Sequence, residues 1–190
     1  AATAIGMGRL VGQRSVGGAR HGRELQPDTA LLHRWLLDCR TARVVESERV
    51  EQDILSDNPC INPNFVSREN RFAYSTAYED SIQKGREVGD SPPNFTAVLK
   101  HDLHARSLVA KHTLEDGWFC GDIAFAPAST GVECREEDGS VLLLAHGPGR
   151  AELRVLDAKA LNVQAVVEIP FRVPFGFHCT YCTSLRPGVR

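Results

Sequence analysis

Short stretches of β-branched and aromatic residues recur along the chain, and the hydrophobic pattern almost nowhere follows a helical period. These stretches cover residues 44–45, 71–78, 95–101, 141–145, 153–156 and Val163–Ile169. Between them stand Ser91-Pro92-Pro93, Glu137-Asp138-Gly139 and Gly147-Pro148-Gly149, which interrupt strands and favour turns. The pattern therefore predicts an all-β fold.

A weak internal repeat refines this prediction. Segments 32–38, 97–103 and 152–158 each combine a hydrophobic strand with an aspartate, and each is followed by a second strand. The aspartates, Asp38, Asp102 and Asp157, follow one another at intervals of 64 and 55 residues. An aspartate can close a tight turn with its side chain, and propeller blades recur about every 40 to 50 residues. We interpret the repeat as about three blades of a β-propeller, although hairpins of a plain β-sandwich fit it too.

Composition and charge narrow the class of protein. The chain has 22 basic and 24 acidic residues, so its net charge of -2 gives no reason to expect nucleic-acid binding. No apolar run approaches the roughly 18 residues of a membrane-spanning helix. The six cysteines stand in a chain with enough core-forming residues to fold without disulfides. We therefore expect reduced thiols and a location in the cytoplasm or plastid, not a secreted protein.

The chain divides into two regions. Residues 1–28 are rich in Gly, Ala and Arg, and we expect an irregular basic segment there. Residues 29–190 contain the predicted strands. Closed propellers usually need at least about four blades, and the chain begins with Ala rather than Met. We expect it to be the C-terminal portion of a longer protein.

The most specific stretch is 169–178, which reads Ile-Pro-Phe-Arg-Val-Pro-Phe-Gly-Phe-His. Pro170 and Pro174 lack an N–H, so this stretch cannot run through the middle of a sheet. Gly176 permits a tight turn before His178. Apolar neighbours would favour the neutral imidazole that ligates metals. On these residues alone, a core histidine held by a backbone carbonyl is the simpler interpretation.

The run from Arg172 to His178 resembles the C-terminal signature of the carotenoid cleavage oxygenases, a family that includes stilbene-cleaving and retinoid-processing enzymes. Further matches occur in the family's order across residues 30–183: His33-Arg34-Trp35, Ile61-Asn62-Pro63, Arg71-Phe72-Ala73-Tyr74, Gly121-Asp122-Ile123-Ala124-Phe125-Ala126-Pro127 and the segment 152–159. The shared order makes chance similarity a poor explanation.

This resemblance implies a seven-bladed propeller that holds one Fe(II) on its axis through four histidines. It also implies oxidative cleavage, by O₂, of a conjugated C=C bond in a carotenoid, apocarotenoid or stilbene, without an organic cofactor. His178 matches the last of the four ligands and would be both a metal ligand and a catalytic residue. The other three ligands are expected before Ala1. Contact with a membrane would be peripheral and made by regions outside this chain.

The resemblance also assigns two carboxylates. A ligating imidazole usually donates its second ring N–H to a carboxylate, and the family uses Glu for this. The aligned motifs place Asp122 and Asp57 at two such positions, and both are one methylene shorter. We therefore expect the bond from Asp122 to the imidazole to be stretched, bridged by water, or rescued by a movement of the backbone. For Asp57, a plain turn residue beside Asn58-Pro59 is equally compatible with the sequence.

The sequence departs from the family directly after His178, where Cys179-Thr180-Tyr181-Cys182 replaces the usual glycine, small residue and aromatic. Two alternatives follow. One is a small zinc or redox protein built on Cys179 and Cys182, although no second Cys-x-x-Cys completes a zinc site. The other is a catalytically inactive propeller remnant that acts as an interaction module. With three iron ligands missing, we expect the isolated 190 residues to be inactive.

Overall fold

The computed structural model describes residues 2–9, 30–50, 54–78, 95–129, 134–174 and 178–182. Strands dominate these residues: β1 Ala2–Arg9, β2 Ala30–Asp38, β3 Arg43–Arg49, β4 Ser56–Cys60, β5 Phe72–Ala77, β6 Ala97–Asp102, β7 Ser107–Thr113, β8 Phe119–Pro127, β9 Gly139–Gly147, β10 Arg150–Asp157 and β11 Val163–Ile169. A 3₁₀ turn covers Pro63–Phe65. Within the described ranges, no helix is long and apolar enough to cross a membrane.

The strands form three antiparallel sheets. Their orders are β1-β2-β3, β4-β5-β6-β7 and β11-β10-β9-β8, so each sheet is a simple meander of consecutive strands. This architecture confirms the predicted all-β class. The further interpretation of the sheets as about three propeller blades stays a prediction.

One sequence-based expectation needs correction at the N-terminal end. We expected residues 1–28 to be irregular, but β1 lies inside that segment and pairs with β2 from Ala2↔Leu37 to Arg9↔Ala30. Ala and Gly have low strand propensity, which hid this strand from the pattern. The open edge of β2 supplies a ladder of backbone partners that overrides the propensity.

The predicted aspartate turns are present in all three sheets. Asp38, Asp102 and Asp157 end β2, β6 and β10, and their carboxylates accept backbone N–H groups two or three residues on, from Arg40 at 2.9 Å, His104 at 3.0 Å and Ala160 at 2.8 Å. Four residues after each aspartate the backbone has a positive φ, at Ala42, Arg106 and Leu161. The same type of turn therefore follows each of the three aspartates.

The largest hydrophobic cluster joins the second and third sheets. Tyr74 and Val98 from the second sheet pack among residues of the third, including Phe125, Leu143 and Leu156. The hydroxyl of Tyr74 also donates to a carbonyl of the third sheet, that of Ala158, at 2.8 Å. This packing places β4 and β8, the first strands of the two sheets, in contact with each other.

The Ile61-Asn62-Pro63 motif has a structural role. Asn62 is 1 % exposed; its Oδ1 accepts the N–H of Asn64 at 3.0 Å, and its Nδ2 donates to the Glu136 carbonyl at 3.0 Å. The carboxylate of Glu136 accepts the backbone N–H groups of Arg71 and Phe72. These hydrogen bonds connect two of the sequence motifs to one turn of the third sheet, next to the β4–β8 contact.

Candidate metal-binding cleft

β4 and β8 each contain a β-bulge, and each bulge carries one of the predicted carboxylates. On β4, Asp57 pairs with Thr76 and Cys60 with Tyr74, so β4 has one residue more than its partner. The same offset occurs on β8, between Cys120 and Ile123. Asp57 stands at the start of the first bulge and Asp122 lies inside the second. Because bulges redirect side chains at sheet edges, both carboxylates can leave the regular pleat.

Asp122 joins β8 to the segment that contains His178. Its carboxylate is largely buried; Oδ1 accepts the N–H of Ile123 at 2.9 Å, and Oδ2 accepts the N–H of Cys179 at 2.5 Å. The same Oδ2 lies 3.5 Å from Nδ1 of His178. That separation exceeds the roughly 2.7–3.2 Å of an ordinary N–H···O bond. Asp122 therefore holds the backbone beside His178 more tightly than it holds the imidazole.

His178 is more exposed than we expected. The sequence suggested apolar surroundings, but the side chain is 71 % exposed. The phenylalanines that were to enclose it, Phe175 and Phe177, lie outside the described residues. In this chain His178 instead lines an open cleft whose wall is both polar and apolar.

This cleft brings the three predicted site residues together. Its volume is about 450 Å³, and Asp57, Asp122 and His178 all line it. Apolar side chains, Ile61, Ile123 and Phe125, line it as well. Of the histidines in the part of the chain that the structure describes, only His178 belongs to this lining.

The other described histidines have structural environments. His101 is 1 % exposed, and its ring nitrogen lies 2.8 Å from the hydroxyl of Ser75. His104 lies on the surface, 3.8 Å from Glu69. His146 belongs to β9, and burial there lowers its pKa. These positions suit packing and surface pairing.

Two cysteines that line the cleft, Cys60 and Cys179, have raised pKa values. Burial, followed by the charge of Asp122, raises the pKa of Cys60 to about 12 and that of Cys179 to about 11. The thiolate is the reactive form of cysteine, so both thiols are largely protonated near neutral pH in the absence of a metal ion. Across the described ranges no cluster of three or more His, Cys, Asp or Glu could hold a metal ion.

Two features of the cleft escaped the sequence analysis. One is the backbone N–H of Cys179, because a pattern of side chains gives no information about the partner of a backbone N–H. The other is Asn58, which has a φ of 52° and precedes Pro59 inside β4. The signal for the second was present, because a proline within a strand marks an edge or a bulge. The Asn-Pro pair had been interpreted only as a turn.

Known proteins resemble this chain in sequence. The model of the RPE65 family, retinal pigment epithelial membrane protein, matches residues 10–183. The carotenoid 9,10(9',10')-cleavage dioxygenase 1 of Phaseolus vulgaris is 34 % identical over 144 residues, which cover 67 % of this chain and 24 % of that protein. The chloroplastic 9-cis-epoxycarotenoid dioxygenase NCED1 of Oryza sativa subsp. japonica is 32 % identical over 136 residues, covering 67 % and 20 %.

A solved structure matches in fold as well as in sequence. The cobalt-substituted apocarotenoid oxygenase of Synechocystis superposes with a TM-score of 0.64 at 25 % identity, covering 80 % of this chain and 30 % of that chain. The present chain thus spans about a quarter of the length of the curated relatives it matches. Because the family model covers most of its residues, the chain belongs to the carotenoid cleavage oxygenase family.

Proposed function

We propose that this chain forms the C-terminal part of a non-haem Fe(II) dioxygenase that cleaves a conjugated C=C bond of a carotenoid, apocarotenoid or stilbene with O₂. The observation that carries the proposal is the placement of His178 against Asp122 in a cleft that Asp57 also lines. A neutral imidazole backed by a carboxylate is a suitable iron ligand. Bound Fe(II) would supply the capacity to activate O₂.

The residues of this chain would bind and orient. Asp122 faces Nδ1 of His178, so it favours the tautomer with the proton on Nδ1 and makes Nε2 the ligating atom. The bond from the Cys179 N–H to Asp122 fixes the backbone beside the ligand. In this proposal Asp57 holds a second imidazole, contributed by a part of the protein outside the described residues.

The proposed substrate is an apolar polyene or a stilbene-type molecule. The cleft wall offers Ile61, Ile123 and Phe125 beside the carboxylates, which suits a long hydrophobic molecule with its reacting bond near a metal. We place the protein in the cytoplasm or plastid, with at most peripheral membrane contact made by regions outside this chain. Nucleic acid is not a proposed partner.

The test uses the full-length protein reconstituted with Fe(II) in the absence of oxygen. After O₂ is admitted with a carotenoid, an apocarotenoid or a stilbene, an oxygenase yields two carbonyl products per double bond cleaved. An inactive interaction module would retain no iron and leave all three substrates intact, and that result would overturn the proposal.

A further inference from the structure

Asn58 has an unfavourable backbone conformation beside the cleft. Its φ of 52° lies in the left-handed region, which Asn tolerates better than most residues other than Gly but which is uncommon inside a strand. Pro59 follows and further restricts Asn58, since a residue before proline prefers an extended conformation. The other described non-glycine residues with positive φ lie in or beside turns: Ala42, Ser67, Arg106 and Leu161. Asn58 instead lies within a strand.

A closed set of hydrogen bonds holds this conformation. The side-chain amide of Asn58 donates to the hydroxyl of Thr76 at 3.2 Å, and that hydroxyl donates to the carbonyl of Asp57 at 3.1 Å. The carboxylate of Asp57 accepts the N–H of Asn58 at 2.8 Å. Thr76 is fully buried in the centre of the second sheet, so it is a fixed anchor. These bonds therefore hold Asn58 in a conformation that the following proline disfavours.

The imposed conformation coincides with the β4 bulge that starts at Asp57. A regular strand would alternate its side chains between the two faces of the sheet, whereas the bulge changes that alternation. Asp57 and Asn58 both line the cleft that Asp122 and His178 line. Strained backbone at a candidate site, fixed by its surroundings, points to a role in positioning.

We infer that Asn58 is a positioning residue whose left-handed backbone aims the Asp57 carboxylate into the cleft, where that carboxylate orients a metal-ligating imidazole. The second part of this inference rests on the proposed function. The simpler alternative is that Asn58 closes the bulge and serves stability alone. The two differ in whether the effect of Asn58 passes through Asp57.

Two substitutions separate the conformation of Asn58 from its amide group. Asn58→Gly and Asn58→Val both remove the bond to Thr76, but glycine accepts a positive φ readily and a β-branched residue does not. In crystal structures of the full-length variants, we expect Asp57 to remain in the cleft with Gly and to leave it with Val. Asn58→Ala replaces the Val variant if that one does not fold. An unchanged Asp57 in the Val or Ala variant would overturn the inference.

Iron retention under chelator challenge tests the consequence. We expect Asn58→Val to lose Fe(II) about 10-fold faster than the wild type, and Asn58→Gly to stay close to the wild type. In an Asp57→Asn background the Val substitution should add no further loss. A full additional loss there would overturn the inference, because a merely structural role would act without Asp57.

The same experiment distinguishes a failure of the proposed function. If the wild type and His178→Ala retain iron equally, the proposal that His178 ligates iron is wrong. The inference that Asn58 acts on the iron site through Asp57 is then wrong as well. If His178→Ala loses iron and Asn58→Val does not, the proposed function stands and the role of Asn58 is overturned.

Discussion

Asp122 and Cys179, 57 positions apart in the sequence, are joined by a hydrogen bond of 2.5 Å from the Cys179 N–H to the Asp122 carboxylate. The same carboxylate lies 3.5 Å from His178. The Asp122 carboxylate, which we expected to pair with an imidazole, therefore also holds the backbone of the segment that carries this imidazole. Changes at Asp122 should affect both the orientation of His178 and the placement of its backbone.

The variants Asp122→Glu and Asp122→Asn should differ in how well they retain iron under chelator challenge. The longer Glu can bring an oxygen within hydrogen-bonding distance of the imidazole, so we expect it to hold or raise retention. One carboxylate oxygen of Asp122 accepts the N–H of Ile123, and the other accepts the N–H of Cys179. An Asn at this position would present its NH₂ group, a donor, to one of these two N–H groups, so one of the bonds would be lost. We expect about 10- to 100-fold poorer iron retention for Asn. Equal retention by Asn and Asp, with Glu worst, would identify Asp122 as an ordinary turn residue.

Gly147→Ala should destabilise the third sheet. A Cβ at Gly147 would lie 2.5 Å from the Trp118 ring, which is buried and contacts the guanidinium groups of Arg150 and Arg154, so it has little room to move. We expect a loss of about 1–3 kcal/mol in the free energy of unfolding, measured by denaturant titration of the full-length protein. Gly149→Asn is the matched control, because nothing surrounds that position and Asn tolerates its positive φ. Equal losses in the two variants would contradict this packing.

Stability should fall as the pH decreases through the range in which histidines titrate. Burial and the charge of Arg154 lower the pKa of His112, opposed in part by Glu115. The unfolded chain therefore binds the proton more readily, and the stabilising contribution, present above about pH 6.5, is lost as the pH falls below it. His112→Asn should reduce the dependence of the unfolding free energy on pH below about pH 6.5, without removing it, because His33 and His146 also have lowered pKa values. An unchanged pH dependence in His112→Asn would contradict this role of His112.

Asp102 should matter more for folding than Asp38, although both close the same type of turn. Two bonds from Arg71, at 2.8 and 2.6 Å, hold the pKa of Asp102 down to about 2. Its contribution to stability is present above about pH 4 and is lost as the pH falls towards 2. Asp102→Asn should cost about 1–3 kcal/mol at neutral pH, and Asp38→Asn clearly less. Similar unfolding midpoints for the two variants would contradict the role of Arg71.

The sequence was most informative where local chemistry determines local structure. The turns after Asp38, Asp102 and Asp157 could be predicted because an aspartate closes them with its own side chain. The strand Val163–Ile169 was predicted with its observed bounds, since its β-branched residues are flanked by turn signals. The juxtaposition of Asp122 and His178 required the family resemblance, because no local pattern links such distant residues.

Other features depend on contacts that no local pattern encodes. β1 forms because β2 offers an open edge, not because its own residues favour a strand. The bulges at Asp57 and Asp122 arise from the register with neighbouring strands. The exposure of His178 depends on what covers the cleft, which its flanking residues did not reveal.

Iron content and cleavage activity of full-length His178→Ala, compared with the wild type, test the central claim most directly. His104→Ala is the matched control, because His104 is exposed and lies outside the lining of the cleft. We predict that the His178 variant keeps its fold, binds little iron and forms no carbonyl products, while the control matches the wild type. Stoichiometric iron and normal turnover in His178→Ala would contradict the account.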